Sequence, residues 1–256
     1  MATEFFNDGE HRCVRFDDLA GSGENEVQAN QYLIIDGKQG MLLDPGGNKS
    51  FSGLVSEMST YLPPQKLEYI ILSHQDPDVG SGLNGYLLIT DALICFPSLW
   101  QRFIPAFCTK SLATDRVLSV PDVGMRLELG EAEIVLVPAH FLHSAGNLNV
   151  YDVASKTLFT GDLGASLLPP DNQYEVVQDF EAHVQYMEGF HQRYMPSAKI
   201  CRQWAAMVWR MDIERIAPQH GAMFEGQTMV KRFIDWVAHI RGGVELLLAK
   251  QIYQLP

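Results

Sequence analysis

The chemistry of this chain concentrates in Ser73-His74-Gln75-Asp76-Pro77-Asp78. Three potential metal ligands, His74, Asp76 and Asp78, fall at alternate positions just beyond the apolar run 68–73, EYIILS. Imidazole and carboxylate favour hard or borderline cations. Pro77 fixes one φ angle and removes a backbone donor, so this turn has little freedom. The plain alternative is turn chemistry, since Asp and Pro favour turns and Asp78 is a candidate cap for the following helix. Three more apolar runs end in the same residue types. AEIVLVP leads to His140 and His143, KTLFTG ends in Asp162, and ERIAP ends in Gln219-His220-Gly221. Any one of these alone is an ordinary loop residue. Four strand ends bearing His or Asp point instead to convergence. The set is His74, Asp76, Asp78, His143, Asp162 and His220, which suits two metal ions sharing one carboxylate.

Other motifs carry less. Gly80-Ser81-Gly82-Leu83-Asn84-Gly85 matches G-x-G-x-x-G, but residues 100–108 (WQRFIPAFC) lack the acidic partner a dinucleotide site wants. These glycines more simply let the backbone bend close to a site. Cys13, Cys95, Cys108 and Cys201 show no CxxC spacing and are expected to stay thiols. Ser144 follows His143 but has no G-x-S-x-G elbow. His140 reads as an outer-sphere or surface residue. His191 is a candidate to reach the pocket from a helix, although a core or solvated role is the simpler reading. His11, His183 and His239 have no supporting context. Tyr186, Phe190, Tyr194, Trp204 and Trp209 fall on predicted helices, as core, interface or pocket wall.

These ligands need elements to hold them. The chain has 256 residues, 46% hydrophobic and 20% charged, with a net charge of −12. That composition excludes a disordered chain or a coiled coil and disfavours nucleic acid and anionic membranes as partners. Runs 27–35 and 39–43 flank Asp36-Gly37-Lys38 as a hairpin, and strands return between 123 and 160. Helices are expected at 51–61, 81–88, 175–195, 197–211 and within 226–250. Two sets of strands with helices between and after predict an α/β sandwich, taken as one domain over residues 1–256. The N-terminus MATEFFNDGEHRC shows no signal peptide and no stretch suits a membrane span, so a cytoplasmic protein is expected.

The motif order resembles the metallo-β-lactamase superfamily: H-x-[HED]-x-D, then a His, an Asp and a late His-Gly. Within it, the chain looks most like the diiron domain of flavodiiron proteins and the stand-alone oxygen-binding diiron proteins. Asn30-Gln31-Tyr32-Leu33-Ile34 and Leu43-Asp44-Pro45-Gly46 resemble that family's opening strands. The resemblance implies an αββα sandwich and two iron ions, with zinc or manganese as alternatives. One iron would take His74, Asp76 and His143, the other Asp78 and His220, with Asp162 bridging. Two departures matter. Asp76 stands where superfamily hydrolases have His, and Val79 stands where the family usually has a further His ligand. The resemblance further implies dioxygen as ligand, a sensor or carrier role and a homodimer. No flavodoxin domain is expected after the metal domain, and hence no flavin. An O2 or NO reductase fed by a separate electron donor, a dinuclear hydrolase of esters, lactones or phosphodiesters, and a non-catalytic scaffold are the alternatives. A sensor would act through a signalling partner.

Overall fold

The computed structural model describes residues 2–17, 19, 28–109 and 114–250. Seven strands lie side by side in chain order: β1 (Ala2–Asn7), β2 (His11–Phe16), β3 (Gln31–Asp36), β4 (Gln39–Leu43), β5 (Leu67–Ile71), β6 (Leu93–Pro97) and β7 (Val117–Val120). The second sheet holds β8 (Met125–Leu129), β9 (Ala132–Pro138), β10 (Leu148–Asp152), β11 (Thr157–Gly161), β12 (Arg215–Pro218) and β13 (Phe224–Glu225). Its order is β13-β12-β11-β10-β9-β8. The helices are α1 (Phe51–Met58), α2 (Pro77–Gly80), α3 (Leu83–Ile89), α4 (Phe180–Tyr194), α5 (Ala198–Val208), α6 (Gln227–His239) and α7 (Gly243–Lys250).

Side-chain alternation along the strands sorts the core into three slabs. Tyr32 and Ile34 of β3 turn inward onto Val150, Phe159 and Ala217 of the second sheet. Leu33 and Ile35 turn outward onto Leu54, Met58 and Tyr86 of α1 and α3. On the far face, Leu158 and Ile216 pack under Trp204 and Phe233 of α5 and α6. The layers run helix, sheet, sheet, helix, which is the expected αββα sandwich.

Several elements differ from expectation. β1 and β2 occupy the segment read above only for targeting, and they extend the first sheet to its edge. The strand expected from residue 27 begins at Gln31, and residue 27 itself lies outside the described residues. The helix expected from 175 begins at Phe180. Val176 instead bridges to Met223, and the Asp179 carboxylate caps the helix, accepting from Ala182 N at 3.2 Å. The region 226–250 divides into α6 and α7 around Gly242-Gly243.

Parallel pairing sets where loops emerge. β4, β5 and β6 run parallel, as do β11 and β12, so helices must cross between them. Ser73 O accepts from Leu148 N at 3.0 Å, which brings the end of β5 to the start of β10. The Tyr32 hydroxyl donates to Pro218 O at 2.7 Å, and Asn30 Nδ2 donates to Pro218 O and Gly221 O at 3.0 and 2.9 Å. These bonds pin the end of β12 to the other sheet. Among the described residues, no helix is long and apolar enough to cross a membrane.

One buried polar link ties the outer helices to the sheet. Trp204 Nε1 donates to Asn149 Oδ1 at 2.8 Å, and Asn149 Nδ2 donates to Thr160 O at 3.0 Å. Asn149 and Thr160 have no solvent exposure. Trp204→Phe strands the Asn149 oxygen, and a loss of about 1–3 kcal/mol is expected in urea unfolding.

Candidate metal centre

The end of β5 builds the first part of the site. Ser73 N donates to Asp44 Oδ1 and Ser73 Oγ to Asp44 Oδ2, both at 2.8 Å. With its one proton spent there, Ser73 Oγ accepts from His74 Nδ1 at 2.9 Å. The His74 tautomer is thereby set, and its bare Nε2 faces the site. Burial pushes the Asp44 carboxyl up to about 6, against the opposing influence of His74 and the Ser73 bonds. α2 then begins at Pro77 with Asp76 at its N-cap, yet the Asp76 side chain makes no cap hydrogen bond. Asp78 lies in the helix's first turn and is not its cap. Both carboxylates are thus left for other work.

The six predicted residues converge. His143 Nε2 lies 3.1 Å from Asp162 Oδ2 and 3.4 Å from Asp76 Oδ2. His74 Nε2 lies 3.8 and 3.7 Å from the same two atoms. His220 Nε2 lies 3.3 Å from Asp162 Oδ1 and 3.4 Å from Asp78 Oδ2. His74 Nε2, His143 Nε2 and Asp162 Oδ1 are buried without a hydrogen-bond partner. Buried polar atoms are ordinarily paired, so orphaned donors and acceptors aimed at one another call for a cation. Ligand atoms of His74, Asp76, His143 and Asp162 all lie within 4.8 Å of one another. Separations of about 3–3.5 Å are those of atoms sharing one ion at about 2.0–2.2 Å. The donor set fits a pair of ions with Asp162 between them.

The electrostatics agree. Burial opposes ionisation of Asp162, but His220, His74 and His143 outweigh it and hold the carboxyl far below its ordinary range. Burial likewise depresses His220, yet the facing carboxylates of Asp162 and Asp78 raise it to about 10. The Nδ1 of His220 donates to Gln28 O at 2.8 Å, which turns Nε2 inward. His143 is lowered, first by burial and then by its imidazole neighbours against the carboxylates.

The neighbouring residues divide clearly. Val79 is fully buried in the core under α2 and offers nothing to the site. His140 is engaged elsewhere: its Nε2 donates to Asp122 O at 2.7 Å. Ser144 Oγ donates to Gln75 Oε1, and Gln75 Nε2 donates to Asp76 Oδ1 at 2.9 Å, so Ser144 orients Asp76 through Gln75. Phe190 and Tyr194 stack on each other and both present edges to His143, forming a wall of the site. The glycines of the G-x-G-x-x-G segment serve close packing: a Cβ on Gly82 would stand 2.9 Å from Gly46 O. Reading by motif missed Asp44, Ser73 and Gln75. Only the likeness of Leu43-Asp44-Pro45-Gly46 to the family's opening strands hinted at the first of them.

His191 does not supply the ligand absent at Val79. Its Nδ1 donates to Met187 O and its Nε2 accepts from Gly164 N, both at 2.8 Å, so it anchors the loop that carries Asp162. Burial pushes His191 down to about 4, and does the same to His183. A folded value below the unfolded one near 6.5 gives stability that is present above 6.5 and lost as pH falls toward 4. Each group contributes about 3 kcal/mol at most. Urea midpoints are therefore expected to fall between pH 6.5 and 4. The raised Asp44 works the other way between pH 6 and 4, and His191→Gln should make the net fall shallower.

The chain as a whole is similar to known proteins. The apo state of the chemotaxis sensor ODP from T. denticola is 37% identical, with 98% of each chain covered and a TM-score of 0.87. The peroxy diiron species of chemotaxis sensor ODP is also 37% identical, over 97% of this chain and 99% of that one, with a TM-score of 0.85. Diflavin flavoprotein A 1 of Synechocystis is 25% identical over 83% of this chain and 37% of its own length. The chain spans about half, or less, of the curated relatives it matches. A flavo di-iron protein of Thermotoga maritima, 18% identical over 93% of this chain and 60% of that one, shares the fold with a TM-score of 0.77. The family model described as ODP family beta lactamase matches residues 27–221, and the chain belongs to that family.

Proposed function

We propose that this chain is a non-heme diiron protein that binds dioxygen and acts as an oxygen sensor. The observation that carries the reading is the orphaned donor set: His74 Nε2, His143 Nε2 and Asp162 Oδ1, buried and turned toward one another. In this reading His74, Asp76 and His143 hold one ion, Asp78 and His220 hold the other, and Asp162 spans both. Carboxylate and imidazole without thiolate suit iron in this role. Two ferrous ions held by these residues would supply electrons and open coordination positions for dioxygen. The protein's share is placement. Asp44 and Ser73 hold the His74 tautomer, Gln75 holds Asp76, and Phe190 and Tyr194 shield the His143 side from water.

Val79 bears on the outcome. A valine in the core leaves the Asp78–His220 side with fewer protein donors, and hence with more open positions. Similarity over the whole length of chains called chemotaxis sensors supports sensing over turnover. A sensor of this kind passes its signal to a separate partner. The chain is further read as a homodimer with α4 and α5 as contact surface, where Tyr194 and Trp209 are each 54% exposed. Light scattering is expected to give twice the chain mass, and Trp209→Glu to give the chain mass alone.

The deciding measurement is visible absorption of anaerobically loaded ferrous protein as oxygen is admitted and then removed. A long-lived coloured adduct that reverts on degassing is expected. Immediate ferric oxidation with no adduct would overturn the reading and favour a reductase. Asp162→Ala is expected to lower the occupancy of both irons; loss of only one would remove Asp162 from its bridging place.

A further inference from the structure

A second concentration of ligand chemistry lies at the opposite end of the sandwich. Asp152 closes β10, whose first residue Leu148 holds the Ser73 loop, so a strand's length separates it from the candidate centre. His11 and Cys13 of β2 meet it across the sheets. His11 Nε2 is 2.8 Å from Asp152 Oδ2, Cys13 Sγ is 3.3 Å from the same oxygen, and Sγ and Nε2 are 4.0 Å apart. Ser155 Oγ also donates to that oxygen. His11 Nδ1 lies 2.9 Å from Asp36 Oδ1. His11, Cys13 and Asp152 are 3%, 0% and 0% exposed.

We propose that His11, Cys13 and Asp152 form a second, mononuclear site for a zinc-type divalent cation. Geometry is the first argument. For these three separations, the point equidistant from the atoms lies roughly 2 Å from each, close to Zn–N and Zn–O lengths and a little short of Zn–S. The orientation of the ring is the second. Asp36 accepts from Nδ1 and turns Nε2 toward the cluster, which is the usual carboxylate support of a metal-bound imidazole. Proton balance is the third. One carboxylate oxygen now accepts from an imidazole, a thiol and a hydroxyl. A dication entering the cluster displaces the Nε2 proton and the thiol proton to solvent, so the total charge is unchanged. The Ser155 hydroxyl stands at hand for a fourth position.

The donor set sorts this site from the first. A thiolate beside an imidazole selects zinc, whereas the candidate diiron centre offers nitrogen and oxygen alone. The inference therefore does not rest on the oxygen-binding reading. The ion would join β2 of one sheet to β10 of the other and act as a structural cross-link.

Cobalt(II) added to the metal-free full chain in urea, before refolding, tests it. Thiolate ligation gives a near-ultraviolet charge-transfer band that nitrogen and oxygen donors do not give. One cobalt per chain is expected to produce the band. Cys13→Ser should abolish it while leaving the remaining cobalt bound, and Asp162→Ala should retain it. His11→Gln should weaken cobalt binding at the band by tenfold or more, and it decides the matter if Cys13→Ser fails to fold. No band at saturating cobalt, or a band that survives Cys13→Ser, would show the cluster to be a hydrogen-bonded network without an ion.

Discussion

A carboxylate buried among three imidazoles governs one end of this protein. Asp162 is 6% exposed, and each of its oxygens faces at least one imidazole Nε2 across 3–4 Å. An uncompensated charge in such a place is costly, so protons or metal ions must accompany it. The raised His220 and the depressed Asp162 are two sides of that demand. A pair of dications meets it more fully than one proton can, because it also satisfies the atoms that no hydrogen bond reaches.

The fold exists to hold that arrangement still. His74, Asp162 and His220 stand within three residues of a strand end, and those strands are clamped between apolar slabs. The loops themselves are held by specific bonds rather than by bulk packing. Asp44 and Ser73 hold His74, Gln28 O holds His220, and His191 holds the turn after Asp162. Gly161 adds to this closeness. Its φ is +57°, and a Cβ there would stand 3.0 Å from Ser73 Oγ, so the two ligand-bearing strand ends approach as only glycine permits.

Much of the site was legible in sequence because its ligands follow strand ends in a recognisable order. A strand end is a local event, and H-x-D-x-D falls within one turn. The supports were not legible, since they join residues far apart in the chain. Asp44 reaches Ser73 across 29 positions, and Asn30 reaches Pro218 across 188. His191 shows the limit from the other side. Its helix and its proximity were foreseeable, but its role depended on which nitrogen Met187 O would occupy. In the fold, β1 and β2 escaped notice because partners far along the chain give them their meaning. The start of α4 moved because the Asp179 cap, not the apolar pattern, decides where a helix begins.

His11 makes the same point about distance and carries it further. Nothing within its own segment marks it out, since its partner Asp152 lies 141 residues away. Only pairing of the two sheets brings imidazole, thiol and carboxylate within reach of one another. The sandwich thus has two polar ends of different character. One gathers three imidazoles and three carboxylates under an aromatic wall that leaves Asp78 half exposed, and so can admit a small molecule. The other gathers one thiol, one imidazole and one carboxylate with almost no exposure, and so can only hold what it encloses during folding. Access and donor softness, rather than the strands themselves, distinguish the two ends.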